Sequence, residues 1–79
     1  MKPLRDVLKD IKPRQKVMLK HRQGTVYKIT VNNNLSGDGL WAIDYSYLNT
    51  VTNKFDGPHT GGYFPANKYN VVRISGRFV

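Results

Sequence analysis

The sequence predicts a mainly β domain led by one short helix, and three observations carry that expectation. Residues 15–21 alternate between two faces, and residues 40–48 set Trp41, Ile43, Tyr45 and Tyr47 on one face, the period-two signature of a strand. Residues 25–31 are dense in β-branched and aromatic types. Runs of glycine, asparagine and proline separate these stretches and leave room for a single helical repeat, at the start of the chain.

That repeat is Leu4, Val7, Leu8 and Ile11, spaced to fall on one helical face, with Pro3 suited to a first turn and Pro13 ending the pattern. So short a helix cannot hold itself together, so it is expected to dock over an open end of the sheet. In residues 15–21, Val17 and Leu19 take one face and Lys16, Met18 and Lys20 the other. Arg22-Gln23-Gly24 makes a tight connection to the second strand, with glycine free to adopt a positive φ. The polar run 32–39 interrupts the sheet. In the third strand Trp41, Ile43, Tyr45 and Tyr47 are expected on one face, with Ala42, Asp44 and Ser46 on the other. Residues 49–62, punctuated by Gly57-Pro58 and Gly61-Gly62, read as a long irregular loop. Tyr63-Phe64 is a very short strand stopped by Pro65, residues 66–68 form a 3₁₀ turn, and residues 70–74 close the sheet.

One domain is expected over residues 1–79: a helical segment at 1–13, a barrel at 15–74 and a tail at 75–79. The chain has no cysteine, hence no disulfide and no thiolate metal site, and its two histidines, His21 and His59, lack metal-ligand spacing. No metal or cofactor is expected. No apolar run is long enough for a membrane span and no signal-type segment follows the first methionine, so a cytoplasmic protein without a membrane partner is expected.

Charge is the most informative bulk property. Thirteen Lys and Arg stand against five Asp, with no Glu, for a net charge of +8. Residues 1–28 hold nine bases and two acids, a net +7, and the other 51 residues hold four bases and three acids, a net +1. A field this lopsided attracts polyanions.

Two stretches carry a family resemblance. Val17 through Ile29, with Gly24 at its turn, is similar to the KOW motif of ribosomal and transcription-elongation proteins, in which two strands flank a basic turn with a key glycine. Gly62-Tyr63-Phe64-Pro65-Ala66-Asn67 with Val71-Val72 resembles the closing segment of SH3 barrels. Together they imply a five-stranded SH3-like barrel over residues 15–74, preceded by the helix. Two relatives fit poorly. Proline-peptide-binding SH3 domains have an acidic loop where this chain has Arg22-Gln23-Gly24, and plasmid-type dihydrofolate reductases have a Gln-Ile-Tyr pore motif where this chain has Gly62-Tyr63-Phe64.

The candidate binding residues are Lys12, Arg14, Lys16, Lys20, Arg22 and Lys28, with Tyr45 and Tyr47. Long cations on alternating strand positions can follow a phosphate backbone, and exposed tyrosines beside them can stack on bases. Trp41 and Phe64 are assigned to the core, and Asp44 is expected to pair with a nearby Lys or Arg. The loop at 49–62 offers Lys54, His59 and Gly61-Gly62 but lacks a nucleotide-loop signature, and reads as an ordinary flexible loop. Without Glu, Cys or a serine elbow motif, catalysis has little to stand on, and no enzyme is expected. The leading expectation is a nucleic-acid-binding protein of low sequence specificity, with DNA ahead of RNA. The rival is a protein-interaction module, such as a phage-encoded or accessory factor docking on an acidic surface of a host complex. Self-association into a homo-oligomer is a third expectation, motivated by the thin core.

Overall fold

Alternation in the first hairpin works as the pattern dictates. In the computed structural model, which describes all 79 residues, strand β2 (Lys16–His21) buries Val17 and Leu19 while Lys16 and Lys20 face solvent. Strand β3 (Val26–Val31) pairs with it antiparallel and buries Ile29 and Val31. Gly24 closes the turn at φ +108°, a conformation that a side chain would strain, and donates its N–H to the His21 carbonyl at 2.7 Å.

Around this hairpin the chain builds one antiparallel sheet. Strand β4 (Gly39–Asn49) lies beside β3, and β5 (Lys54–Thr60) beside β4. On the other side β7 (Tyr69–Ile74) pairs with β2, and the two-residue β1 (Lys2–Pro3) pairs with β7. The short β6 (Tyr63–Pro65) adds to the first residues of β4, and β8 (Arg77–Phe78) folds back on β7. The main order is β1-β7-β2-β3-β4-β5. The sheet curls round a single core but does not close, and it has eight strands in place of the five expected from sequence.

Three expectations need correction. The stretch 49–62 is not a long loop: residues 54–60 form β5, joined to β4 by a tight turn through Asn53 at φ +59°. Gly57-Pro58 reads as a strand breaker, but an edge strand tolerates proline because its N–H side needs no partner, and a register shift between Tyr45 and Tyr47 absorbs the irregularity. The tail 75–79 likewise contributes β8. The opening helix is broken into α1 (Leu4–Val7) and a 3₁₀ turn (Leu8–Asp10), with Val7 leaving helical geometry at φ −119°, ψ 4°. The docking expectation survives the break, since Leu4, Val7 and Ile11 all reach the core. Burial, not helical propensity, holds this segment.

Strand β4 departs most from simple alternation. Thr30 pairs with Asp44 while Val31 pairs with Ala42, so Ile43 is an extra residue, a β-bulge. Before it Leu40 and Ala42 point into the core; after it Tyr45 packs against the core, and Tyr47, two residues on, shares its face. Trp41 therefore does not share a face with the tyrosines and is not a core residue: it is 39 % exposed. Phe64 is buried, as expected. At Gly39 a Cβ would overlap the Phe64 carbonyl oxygen and stand 2.9 Å from Pro65 Cα, so close strand approach there requires glycine.

The core contains twelve apolar side chains, with Leu19 among the fully enclosed ones. Leu19→Ala is expected to cost about 2–5 kcal/mol, against a net stability of about 3–5 kcal/mol for a domain of this size. Loss of most of the cooperative urea transition at 25 °C is the expected result, read by circular dichroism.

Candidate functional site

Cross-strand register assembles the outer face of the sheet. Met18 on β2 stands opposite Arg73 on β7 and Lys28 on β3, and Lys28 stands opposite Ser46 on β4. The next row holds Lys16, Thr30 and Asp44. Adjacent strands lie about 4.8 Å apart, so the backbones carrying Arg73 and Lys28 are about 10 Å apart across Met18. These rows line a shallow depression of about 510 Å³ whose rim includes Pro58 and Gly76.

Two of its cations rest against aromatic rings from flanking strands. The Lys28 ammonium lies 4.1 Å from the centre of the Phe55 ring, and the Arg73 guanidinium 4.1 Å from that of Phe78. Arg73 Nε is buried and has no hydrogen-bond acceptor. A buried donor without a partner costs about 1–3 kcal/mol, so the fold carries a polar cost to hold Arg73 in this position. Asp44 lines the same depression but, contrary to expectation, makes no ion pair with any Lys or Arg. The one ion pair in the molecule joins Arg5 and Asp6 at 3.7 Å, and both are exposed. The cations of the depression are left without carboxylate partners.

The residues singled out from sequence do not all meet. Lys16, Lys20 and Lys28 share the outer face, and Arg14, at φ +67°, extends it beside Lys16 toward the Ser75-Gly76 turn. Lys12 is exposed in the preceding turn, where its N–H donates to Gln15 Oε1 at 2.8 Å. Arg22 sits at the far end of the hairpin, its N–H donating to the Lys68 carbonyl at 2.9 Å. Tyr45 and Tyr47 fall on the opposite face, because they pair with Ile29 and Tyr27 while Ser46 pairs with Lys28. Tyrosines and lysines therefore do not form one surface. Arg73 joins the depression although sequence reasoning passed over it. Strict alternation from the buried Val71 would turn Arg73 inward, but Val72 is an extra residue on β7 and reverses the faces.

The inner tyrosines build an aromatic row instead. His21 meets Tyr69 edge-on at 5.0 Å, Tyr69 meets Tyr27 at 5.8 Å, Tyr27 meets Tyr45 at 6.1 Å, and His59 packs on Tyr45 at 5.2 Å and on Tyr47 at 5.7 Å. Phe64 contacts Tyr27, Tyr45 and Tyr69 at 5.3–5.7 Å and acts as the hub. The two histidines thus stand at separate ends of the row, with tyrosines between them. No group of three or more metal-ligating side chains occurs, and no helix is long and apolar enough to cross a membrane.

No family profile, curated protein or solved structure matches this chain.

Burial pushes the Tyr69 phenol above its ordinary value of 10.0, and the neighbouring Tyr27 phenol adds to the rise. The fold favours the neutral form, so this stabilisation is whole below about pH 10 and is lost as pH climbs through the raised folded value. Melting curves from pH 8 to pH 11 are expected to show a steeper alkaline loss of stability for the native chain than for Tyr69→Phe.

Proposed function

We propose that this chain is a nucleic-acid-binding protein of the SH3-like barrel type that grips the phosphate backbone with the outer face of β7, β2, β3 and β4. A single observation carries the reading: strand register gathers Lys16, Lys28 and Arg73 around one depression, and no carboxylate pairs with any of them. Lys20 and Arg14 extend the same face along β2. Ammonium and guanidinium groups around one depression on the outer face can contact successive phosphates while reading no base edge, so the grip is poor in sequence information. Thr30 and Ser46 add neutral hydroxyl donors between the charges. Phosphate contacts of this kind do not distinguish deoxyribose from ribose, so DNA and RNA are both substrates of the grip. The role is binding, without catalysis.

Counterion release supplies the test. For duplex DNA the slope of log affinity against log salt is about −0.9 per phosphate neutralised. Replacing Lys16, Lys28 and Arg73 together with alanine is expected to weaken binding strongly and to flatten the slope by about 2–3 units, one for each cation removed. Asp44→Asn, which removes the one acid in the depression, is expected to tighten binding a few-fold and leave the melting temperature nearly unchanged. Affinity that does not vary between 50 and 300 mM salt would remove the phosphate reading. A partner still captured after nuclease treatment, and released by the triple substitution, would transfer the same face to an acidic protein surface.

A further inference from the structure

The outer surface carries a second feature that phosphate binding leaves unexplained. Trp41 and Tyr63, directly paired across β4 and β6, remain 39 % and 38 % exposed, with their ring centres 4.5 Å apart and their planes tilted by 44°. Ile43, beside them, is 43 % exposed. A small domain with a thin core has every reason to bury its only tryptophan, and this one does not. The indole is held in place: its Nε1–H donates to the Ser36 carbonyl at 3.2 Å, and the Tyr63 ring braces one side. A flat ring already fixed in position loses little freedom when something packs on it.

Its location ties it to the basic depression. Thr30 lines the depression; Asn32, two residues further along the chain, donates its N–H to the Trp41 carbonyl at 2.8 Å. Two residues of extended strand span about 7 Å, so the row carrying Trp41 lies one pleat repeat beyond the Lys16–Thr30 row and two beyond the row of Lys28 and Arg73. The bulge at Ile43 makes this possible. Without the extra residue Trp41 and Asp44 would lie on opposite faces; with it both point outward. The outer surface of β3 and β4 thus runs continuously from Lys28 through Thr30 to Trp41.

Three occupants can be weighed on charge and shape. A second copy of this chain would bring two molecules of net charge +8 face to face at their basic surfaces, which electrostatics opposes. A duplex keeps the faces of its bases stacked on one another and offers the rings nothing flat. An unpaired strand offers both partners at once, phosphates for the cations and an open base face for the rings. We infer that Trp41 and Tyr63 form a stacking platform for one unpaired base of a strand whose phosphates occupy the Lys16–Lys28–Arg73 depression, so that the preferred ligand is single-stranded nucleic acid. The inference rests on the phosphate-binding reading and narrows its substrate.

Because the chain has one tryptophan, its emission reports the platform directly. A twelve-residue oligothymidylate, the matching oligouridylate and a twelve-base-pair duplex would be titrated at one fixed salt concentration. Both single strands are expected to quench the indole and bind more tightly than the duplex. Trp41→Ala is expected to weaken single-strand binding about 5- to 150-fold, the range that one stacked base supplies. The salt slope should hold. Trp41→Phe is expected to recover most of the affinity, and Tyr63→Ala, which keeps the reporter, to weaken binding with an unchanged melting temperature. Salt-dependent binding without quenching, with Trp41→Ala and Tyr63→Ala both at native affinity, would overturn the platform and leave the phosphate grip standing. So would a duplex that quenches and binds as well as the single strands, or a dimer seen by sedimentation that buries Trp41 before any oligonucleotide is added. Absence of binding to all three probes at low salt would overturn the platform together with the phosphate reading beneath it.

Discussion

The extra residue at Ile43 is the constraint on which the rest of the molecule turns. Strand β4 has to serve two sets of partners, β6 along Gly39–Trp41 and β3 with β5 further on. A regular strand of eleven residues would keep one set of side chains inward from end to end. The bulge resets that parity halfway. Leu40 and Ala42 fill the core beside Phe64, and Tyr45 then packs against its other end beside Tyr27. A second bulge, at Val72 on β7, performs the same service on the far side of β2, turning Val71 inward and Arg73 outward. Both irregularities sharpen the curl that lets an unclosed sheet wrap twelve apolar side chains.

The same two bulges compose the outer surface. Arg73 reaches the depression and Trp41 reaches solvent only because each lies across a bulge from the residues that set its strand's inward face. The electrostatic arrangement follows from composition. With five Asp available and one ion pair formed, most of the thirteen cations face water or rings. Lys28 on Phe55 and Arg73 on Phe78 show how the fold organises such charge without acids: ring faces attract the cations and hold them in place without neutralising them. The positive charge over the sheet is left without acidic partners.

Much of this fold was legible in the chain. Period-two alternation located the hairpin and the faces of Lys16, Lys20 and Lys28, and the Ala66–Lys68 3₁₀ turn was read from its flanking strands. What escaped has a common physical cause. Alternation assumes unbroken register, so it sets Trp41 on the face of Tyr45 and Tyr47 and would turn Arg73 inward; a bulge that sequence does not announce reverses each. Strand β5 escaped for another reason. An exposed edge has no buried face to impose a pattern, and Gly57-Pro58 within it carries the composition of a loop. Charge crowds into residues 1–28, yet the depression is completed by Arg73, the lone cation of β7, from the part of the chain whose composition is near neutral.

That exposed edge also governs how these molecules behave as neighbours. An open sheet invites another sheet to continue it. Here the outermost strand offers a poor template: Pro58 has no N–H to donate, and the backbone at Gly57, φ +137°, departs from the flat ribbon a docking strand would need. Crowded copies can therefore lie shoulder to shoulder without merging their sheets into a growing fibre.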